Sequence, residues 1–294
     1  MRDFRGKVAV ITGAASGVGK QLALRLAREG VKIVLADIEQ KALDTATAEV
    51  RAAGVAAIGV VTDVSKREQV DALRDRAFAE FGKVQMVFNN AGVGGGGGPS
   101  TWETSEKAYR WAMDVNFFGP LNGILSFTPR LIAQNEEALI SATSSGAGLV
   151  FPPNAPAYSA SKAALIALME IMALQLQMAG SKVRAAILFP GPHVVDTNLF
   201  SSHRNAQAEY ADAAVKAGSG INNVDEFQGI MKMMLGREVP LTQPRDFAEE
   251  VFQSILRDEF YILPLTEKTK DAIRKRTEIM LDRGQPVIAD MFGE

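Results

Sequence analysis

Short apolar runs alternate with helical patterns along most of this 294-residue chain, and that alternation restricts the fold more than any single motif. Residues 7–12 (KVAVIT) are rich in β-branched side chains and end at a glycine, which reads as a buried strand. Val18, Leu22, Leu26 and Ala27 then recur at helical spacing. Further strands are expected over 32–36, 56–61, 84–88, 138–142, 183–189 and 260–263. Helices are expected over about 40–53, 66–81, 104–115, 120–134 and 157–179. Strands separated in this way build a parallel sheet with helices on both faces, and right-handed crossovers leave a doubly wound arrangement. The expected architecture is α/β: a Rossmann-type, doubly wound parallel sheet of about seven strands. No repeat or linker divides the sequence, so residues 1–294 are expected to form one domain.

Composition removes several classes of function. Hydrophobic residues make up 47% of the chain, enough for a full core. A formal net charge of -2 and a pI of about 5.9 argue against nucleic acid or an anionic membrane surface as partner. The absence of cysteine excludes disulfides, thiolate catalysis and Cys-ligated metal. The two histidines, His193 and His203, are too few for a His-rich metal site, so no metal is expected. The N-terminus runs straight into an apolar strand without a leader-like apolar stretch, and no run approaches the roughly 20 residues that span a bilayer. A soluble, cytoplasmic protein is the expectation.

Gly13, Gly17 and Gly19 lie between the first strand and the first helix, together with Ser16 and Val18. Glycines there let the backbone turn tightly and approach a pyrophosphate, which the positive helix N-terminus then receives. Asp37 ends the second strand, 18 residues after Gly19. Its carboxylate can accept from both hydroxyls of an adenosine ribose and would repel a 2′-phosphate. Ile38 follows it, and Ala14 and Ala15 are neutral, so nothing basic nearby in sequence would receive that phosphate. NAD is therefore expected rather than NADP. Asp63 and Val64 end the third strand, where Asp63 can accept from an adenine amine or cap the next helix. Asn89, Asn90, Ala91 and Gly92 end the fourth; small residues and an amide there either admit a cofactor or tie strands together.

Tyr158 and Lys162 are four apart and share a helix face. A free tyrosine, with pKa near 10, is a poor base at neutral pH, and a neighbouring ammonium is expected to lower it. Tyr158 can then take a proton from an alcohol or return it to a carbonyl. Ser145, after the fifth strand, can hold the substrate oxygen as charge develops on it. The glycine turn, Asp37, Asp63, Asn90, Ser145 and Pro190-Gly191 all follow C-terminal strand ends, which share one edge of an open parallel sheet.

Over about residues 5–200 these motifs resemble the classical short-chain dehydrogenase/reductase family: Thr-Gly-x-x-x-Gly-x-Gly at 12–19, Asn-Asn-Ala-Gly at 89–92, Ser145, Tyr-x-x-x-Lys at 158–162 and Pro-Gly at 190–191. The resemblance implies a catalytic tetrad of Asn116, Ser145, Tyr158 and Lys162. Asn116 would kink its helix and hold a water linking the lysine to solvent, and Lys162 would also bind the nicotinamide ribose. Ser144 is a rival for the serine role; the Ser-x-x-Gly pattern and the spacing to Tyr158 favour Ser145. The family's threonine after Pro-Gly, which contacts the nicotinamide carboxamide, stands four residues after the glycine. Here Thr197 is six residues after Gly191, with Pro192 and His193 between, so either the loop bulges or Thr197 makes no such contact. His193 either faces substrate or is simply solvated.

Two stretches break the rhythm. Five glycines at 94–98 read as a flexible surface loop. Residues 192–244 read as a substrate-binding lid with helical patterns over about 206–217 and 224–235. Phe200, Phe227, Met231, Met233, Met234 and Leu235, with Phe151, Pro152 and Pro153, either line a pocket for an apolar or aromatic substrate or pack the lid onto the body. No basic cluster beyond Arg204 and Lys232 suggests a phosphorylated or CoA-bearing substrate. Helix 157–179 is apolar nearly all round, which with the family's habits implies a homodimer or homotetramer, with the apolar stretch 286–292 tucked against a neighbour. The expected activity is NAD-dependent oxidation of a secondary alcohol to a ketone. A carbonyl reductase is the alternative, and a non-catalytic dinucleotide sensor is disfavoured because Tyr158 and Lys162 are both present.

Overall fold

A computed structural model describes residues 1–96, 100–218 and 220–288. Strands β1 (Val8–Thr12), β2 (Lys32–Asp37), β3 (Ala57–Val61), β4 (Met86–Asn89), β5 (Ala138–Thr143), β6 (Val183–Leu188) and β9 (Tyr261–Ile262) form one sheet in the order β3-β2-β1-β4-β5-β6-β9. Every pairing in it is parallel. The order reverses between β1 and β4, and the crevice above that point lies at the carboxyl ends of the strands. This is the expected doubly wound Rossmann-like fold.

The period-2 alternation of each strand divides the core in two. Val8 and Val10 of β1, Val34 and Ala36 of β2, and Ile140 and Ala142 of β5 face one cluster. That cluster is completed by α3 (Arg67–Phe81), α4 (Glu106–Met113), α5 (Gly119–Ala133) and α6 (Pro156–Met178), through side chains such as Leu73, Trp111, Phe127 and Leu165. Ala9, Ile11, Ile33, Leu35 and Leu139 face the other, against α1 (Gly17–Arg28), α2 (Gln40–Ala52) and α9 (Pro244–Leu256). Strands buried on both faces are why these segments read as continuous apolar runs.

Several elements differ from expectation. The helices expected over 104–115 and 120–134 form one unbroken stretch, because a π-helical segment, Asp114–Phe118, joins α4 to α5. The helix expected over 206–217 shrinks to α7 (Ala213–Ala217), since Asp212 caps it by accepting from Val215 N. The residues before it are drawn away by side-chain contacts, among them Tyr210, whose hydroxyl donates to Asp114 Oδ2 at 2.7 Å. Helix α8 (Val224–Leu235) lies as expected. Two further strands, β7 (Val194–Val195) and β8 (Leu241–Thr242), pair in parallel at the two ends of the long insertion. They hold the segment before Thr197: His193 N donates to Thr242 Oγ1 and Asp196 N to Thr242 O. A terminal helix, α10 (Glu267–Leu281), had no sequence expectation.

Helix α6 is not covered on every side within one chain. Ile171 is 53% exposed, Leu174 59% and Met178 87%, while Leu165 and Met169 are fully buried on the opposite face. It is long and apolar enough to cross a membrane by length and composition, but 44% of its apolar window is buried in the protein and it belongs to the core. Of the five-glycine run, residues 97 and 98 fall outside the described residues, as do residues 289–292 of the apolar tail.

The contact between α5 and β4 gives a test. Gly123 faces Asn89, and a Cβ at that position would lie 1.8 Å from Asn89 Oδ1. Asn89 cannot swing away without losing its Nδ2 donation to Ser141 O at 3.1 Å. Gly123→Ala is expected to cost about 2–3 kcal/mol, read from the urea unfolding midpoint. A shift under about 0.5 kcal/mol would refute the tight contact.

Candidate active site

The strand carboxyl ends open into a cavity of about 960 Å³. At its centre the turn after β1 brings Gly13, Ser16, Gly17 and Val18 into the wall. Gly19 lies behind them, where a Cβ would fall 2.3 Å from Gly13 O and 2.6 Å from Asn90 Nδ2. Only glycine allows the turn and the helix to approach this closely. Ser16 is the N-cap of α1, yet its side chain makes no capping hydrogen bond, and the first turn carries no acidic residue. The leading N–H groups of α1 therefore meet the cavity with neither a competing cap nor a repelling charge. An uncapped, uncharged helix N-terminus on a side-chain-free turn fits the pyrophosphate of a dinucleotide.

Asp37 stands to one side, accepting from Ala15 N at 3.0 Å and from Glu39 N at 3.1 Å. Burial pushes its carboxyl above the ordinary value, against the pull of those two backbone donors. Beside it, Glu39 is ion-paired with Arg204 and accepts from Asn205 Nδ2 at 2.7 Å. Burial pushes Glu39 up, but the hydrogen bonds from Asn205 and Arg204 outweigh it and hold the carboxyl below its usual range. This corrects one sequence expectation: a base does reach this wall, Arg204 from the insertion, and it is bound to Glu39. Asp63 also lines the wall, but Ser65 N and Oγ donate to its Oδ1 at 3.0 and 2.7 Å, and Gln207 Nε2 donates to its Oδ2 at 2.9 Å. Its carboxylate thus ties a turn and the insertion together. Val64 lines the cavity next to it.

Asn90 is chiefly a tie. Its Nδ2 donates to Thr12 O at 3.0 Å, its N–H to Thr12 Oγ1 at 2.9 Å, and Thr143 Oγ1 donates to its Oδ1 at 3.3 Å. Ala91 and Gly92 follow along the cavity wall. Asn116 sits in the π-helical segment, fully buried and outside the lining. Its Oδ1 accepts from Val93 N at 2.8 Å, and its Nδ2 donates to Val93 O at 2.9 Å and to Ser161 Oγ at 3.1 Å. The space over Gly92 Cα is bordered by both Asn116 Oδ1 and Lys162 Nζ.

Ser144 and Ser145 separate cleanly. Ser144 is buried and its Oγ donates to Lys162 O at 2.9 Å, so it is spent on structure. Ser145 lines the cavity beside Tyr158, near enough for its hydroxyl to lower the phenol's pKa. Tyr158 is half-buried and lines the cavity; burial raises its pKa, against the lowering effect of the nearby Ser145 hydroxyl. Lys162 Nζ donates to Thr143 O at 2.8 Å and lies 5.6 Å from the Tyr158 ring centroid. Burial lowers its pKa to about 7. The expectation that a standing ammonium depresses the tyrosine therefore does not hold for the protein alone. Lys162 finds a carbonyl and no carboxylate, so desolvation disfavours its charge while the same burial disfavours a phenolate.

On the far wall, Pro190 and Thr197 line the cavity, with Thr197 packed against Gly17, while Gly191 lies behind. His193 also lines it. Phe200, Phe227, Met231, Met234 and Leu235 of residues 192–244 line it, as do Phe151, Pro152 and Pro153. Phe200 and Phe227 stack at 5.8 Å. Met233 does not contribute; it is 83% exposed on the outer face of α8. Lys232 is likewise absent from the lining, whereas Arg237 and Lys268 are part of it and were missed. Lys268 was missed because α10 showed no clear pattern, and the reach of Arg204 to the Asp37 wall because its partner Glu39 lies 165 residues away.

The depressed Lys162 predicts a pH effect on stability. Its folded pKa of about 7 lies below the ordinary 10.5, so between those values the unfolded chain holds more protons and stability rises with pH. From about pH 7.5 to about pH 9.5 the wild type should gain about 2 kcal/mol that Lys162→Met does not, read from urea midpoints. Parallel profiles would rule out a desolvated lysine.

The short chain dehydrogenase family model matches residues 7–208. The CLA biosynthesis dehydrogenase/reductase of Lactiplantibacillus plantarum is 30% identical over all of this chain and 99% of its own length. The C alpha-dehydrogenase of a Sphingobium species is 30% identical, over all of this chain and 91% of its own length. A short chain dehydrogenase/reductase from Burkholderia phymatum, solved in complex with NAD, superposes with a TM-score of 0.85 at 37% identity, covering 98% of both chains. With a parallel sheet, a glycine turn and a Ser–Tyr–Lys group on one cavity, the chain belongs to the short chain dehydrogenase family.

Proposed function

We propose that this member of the family is an NAD-dependent oxidoreductase that interconverts a secondary alcohol and a ketone on an apolar or aromatic substrate. The observation that carries the reading is the meeting of Ser145, Tyr158 and Lys162 on the same cavity that Asp37 borders at the opposite end. NAD, when bound, supplies the hydride acceptor and a positive ring beside the tyrosine.

The protein's own groups do the rest. The N–H groups of Ser16, Gly17 and Val18 receive the pyrophosphate, and Asp37 accepts from the ribose hydroxyls. Lys162 and Gly92 would hold the second ribose, and Pro190, Gly191 and Thr197 would hold the nicotinamide. Ser145 Oγ holds the substrate oxygen, and Tyr158 Oη takes the alcohol proton. Asn116 acts by position: its amide clamps Val93 and so fixes the chain beside Lys162. The raised pKa of Tyr158 favours the reverse reading too, because a phenol that keeps its proton is ready to donate it to a carbonyl.

Residues 192–244 act as a lid over one domain formed by the whole chain. The apolar lining of Phe151, Phe200, Phe227 and Met231 supports the substrate class. The names of the two relatives, a dehydrogenase/reductase and a dehydrogenase, support an oxidoreductase, and the NAD complex of the Burkholderia phymatum structure supports the cofactor. The exposed stripe Ile171, Leu174 and Met178 on α6 supports a homo-oligomer. A cytoplasmic setting completes the reading.

Two variants test it. Tyr158→Phe should lose about 10²–10⁴-fold in kcat across a panel of secondary alcohols while NAD still binds, followed by reduced-nicotinamide absorbance and by calorimetry. Turnover that survives would remove Tyr158 from the chemistry. Glu39→Gln should release Arg204 toward a 2′-phosphate and raise the NADP-to-NAD ratio of kcat/KM about tenfold, a gain that Glu39→Gln/Arg204→Gln should lose. An unchanged ratio would show that Arg204 does not reach the ribose.

A further inference from the structure

The cavity is electrically divided. Its acidic lining residues, among those described, are Asp37, Glu39 and Asp63, all at the ends of β2 and β3. Each already accepts hydrogen bonds, from Ala15, Arg204 and Gln207 among others. The end bordered by Phe151, Phe227 and Met231 has no carboxylate among the described lining residues, but it does have Lys268.

Lys268 lies in the first turn of α10, behind the N-cap Thr266, whose side chain accepts from Thr269 N. The chain leading to it passes Gly191: a Cβ built there would stand 3.4 Å from Pro264 O. This brings the start of α10 to the same edge of the sheet as the Pro190–Thr197 wall. Among the described residues, Lys268 Nζ is buried and has no hydrogen-bond partner. Its neighbour Lys270, by contrast, is ion-paired with Glu267 at 2.6 Å. A buried ammonium left without an acceptor is costly, and no described residue of the wall supplies one. The positive end of a 15-residue helix adds to the field.

We propose that the substrate is an amphipathic hydroxy or keto acid whose carboxylate is held by Lys268, while its carbinol or carbonyl carbon lies at Ser145 and Tyr158. The inference deepens the proposed oxidoreductase reading and rests on it. Lys268 offers one ammonium, which matches a single carboxylate; Arg237, which also lines the cavity, is already engaged in another interaction. The apolar body then spans the region of Phe151, Phe227 and Met231. Lys268 is a binding residue for the remote end of the substrate and takes no part in proton transfer.

The test compares secondary hydroxy acids, from short to long spacers between carboxylate and carbinol, with their methyl esters. In the wild type the acid of fitting length should exceed its ester at least about tenfold in kcat/KM, mainly through KM, as a charge-assisted hydrogen bond would give. Lys268→Met should collapse that ratio toward one, and Lys268→Arg should keep most of it. A ratio near one in the wild type, or one that survives Lys268→Met, overturns the proposal. A second readout does not depend on turnover: calorimetric binding of the corresponding acid lacking the hydroxyl, against its ester. If that acid binds at least about tenfold more tightly than its ester, and loses the advantage in Lys268→Met, the carboxylate site stands even where no substrate is turned over. The failure then belongs to the assigned reaction. Equal binding of acid and ester overturns the site itself.

Discussion

The junction between β5 and α6 is the constraint on which the candidate site depends. Lys162 Nζ donates back to Thr143 O at the end of β5, and Ser144 Oγ donates forward to Lys162 O. These two buried bonds run in opposite directions between the same strand end and the same helix turn. They fix the rotation of α6 about its axis, and with it the aim of Tyr158, one turn before Lys162. Ser145 is then carried out of the strand and meets the tyrosine. The cost is a lysine whose charge is only marginally stable, since its one strong partner is a carbonyl dipole.

The insertion is tied down by polar contacts and by Tyr210 and Val215, which join the core beside α4. Arg204 and Asn205 hold Glu39, Gln207 holds Asp63, and Lys66 pairs with Glu209. Only Phe227 of α8 is buried. The contacts fall on the loops after β2 and β3, so the segment that covers the apolar pocket is anchored at the end where adenosine recognition is proposed. Partly exposed ion pairs such as these are each worth little, which lets the cover shift without disturbing the sheet.

The sheet was legible because strands buried on both faces show as unbroken apolar runs and the helices between them keep their period. Tyr158 and Lys162 were legible because they are local: four residues on one helix. Asp37 and the glycine turn were legible because strand ends share an edge. What escaped was non-local or environmental. Arg204 meets Glu39 only through tertiary folding, and Lys268 sits in the charged first turn of a helix with no strong apolar stripe. The π-helical join at Asn116 leaves no signature in composition. The opposite shifts of Tyr158 and Lys162 depend on dense packing around both groups, which spacing alone does not reveal.

The short pairing of β7 with β8 has a consequence for how this protein can vary. It brings the two ends of the insertion together before the chain returns to α9, so everything between them is a loop on a fixed neck. Once such a neck is closed, lengthening or shortening the loop changes its closure entropy only logarithmically, about 0.6 kcal/mol per doubling. The family model stops matching at residue 208, inside this loop. A loop closed on such a neck can change length past residue 208 at little cost while the sheet, glycine turn and Ser–Tyr–Lys group below it stay as they are.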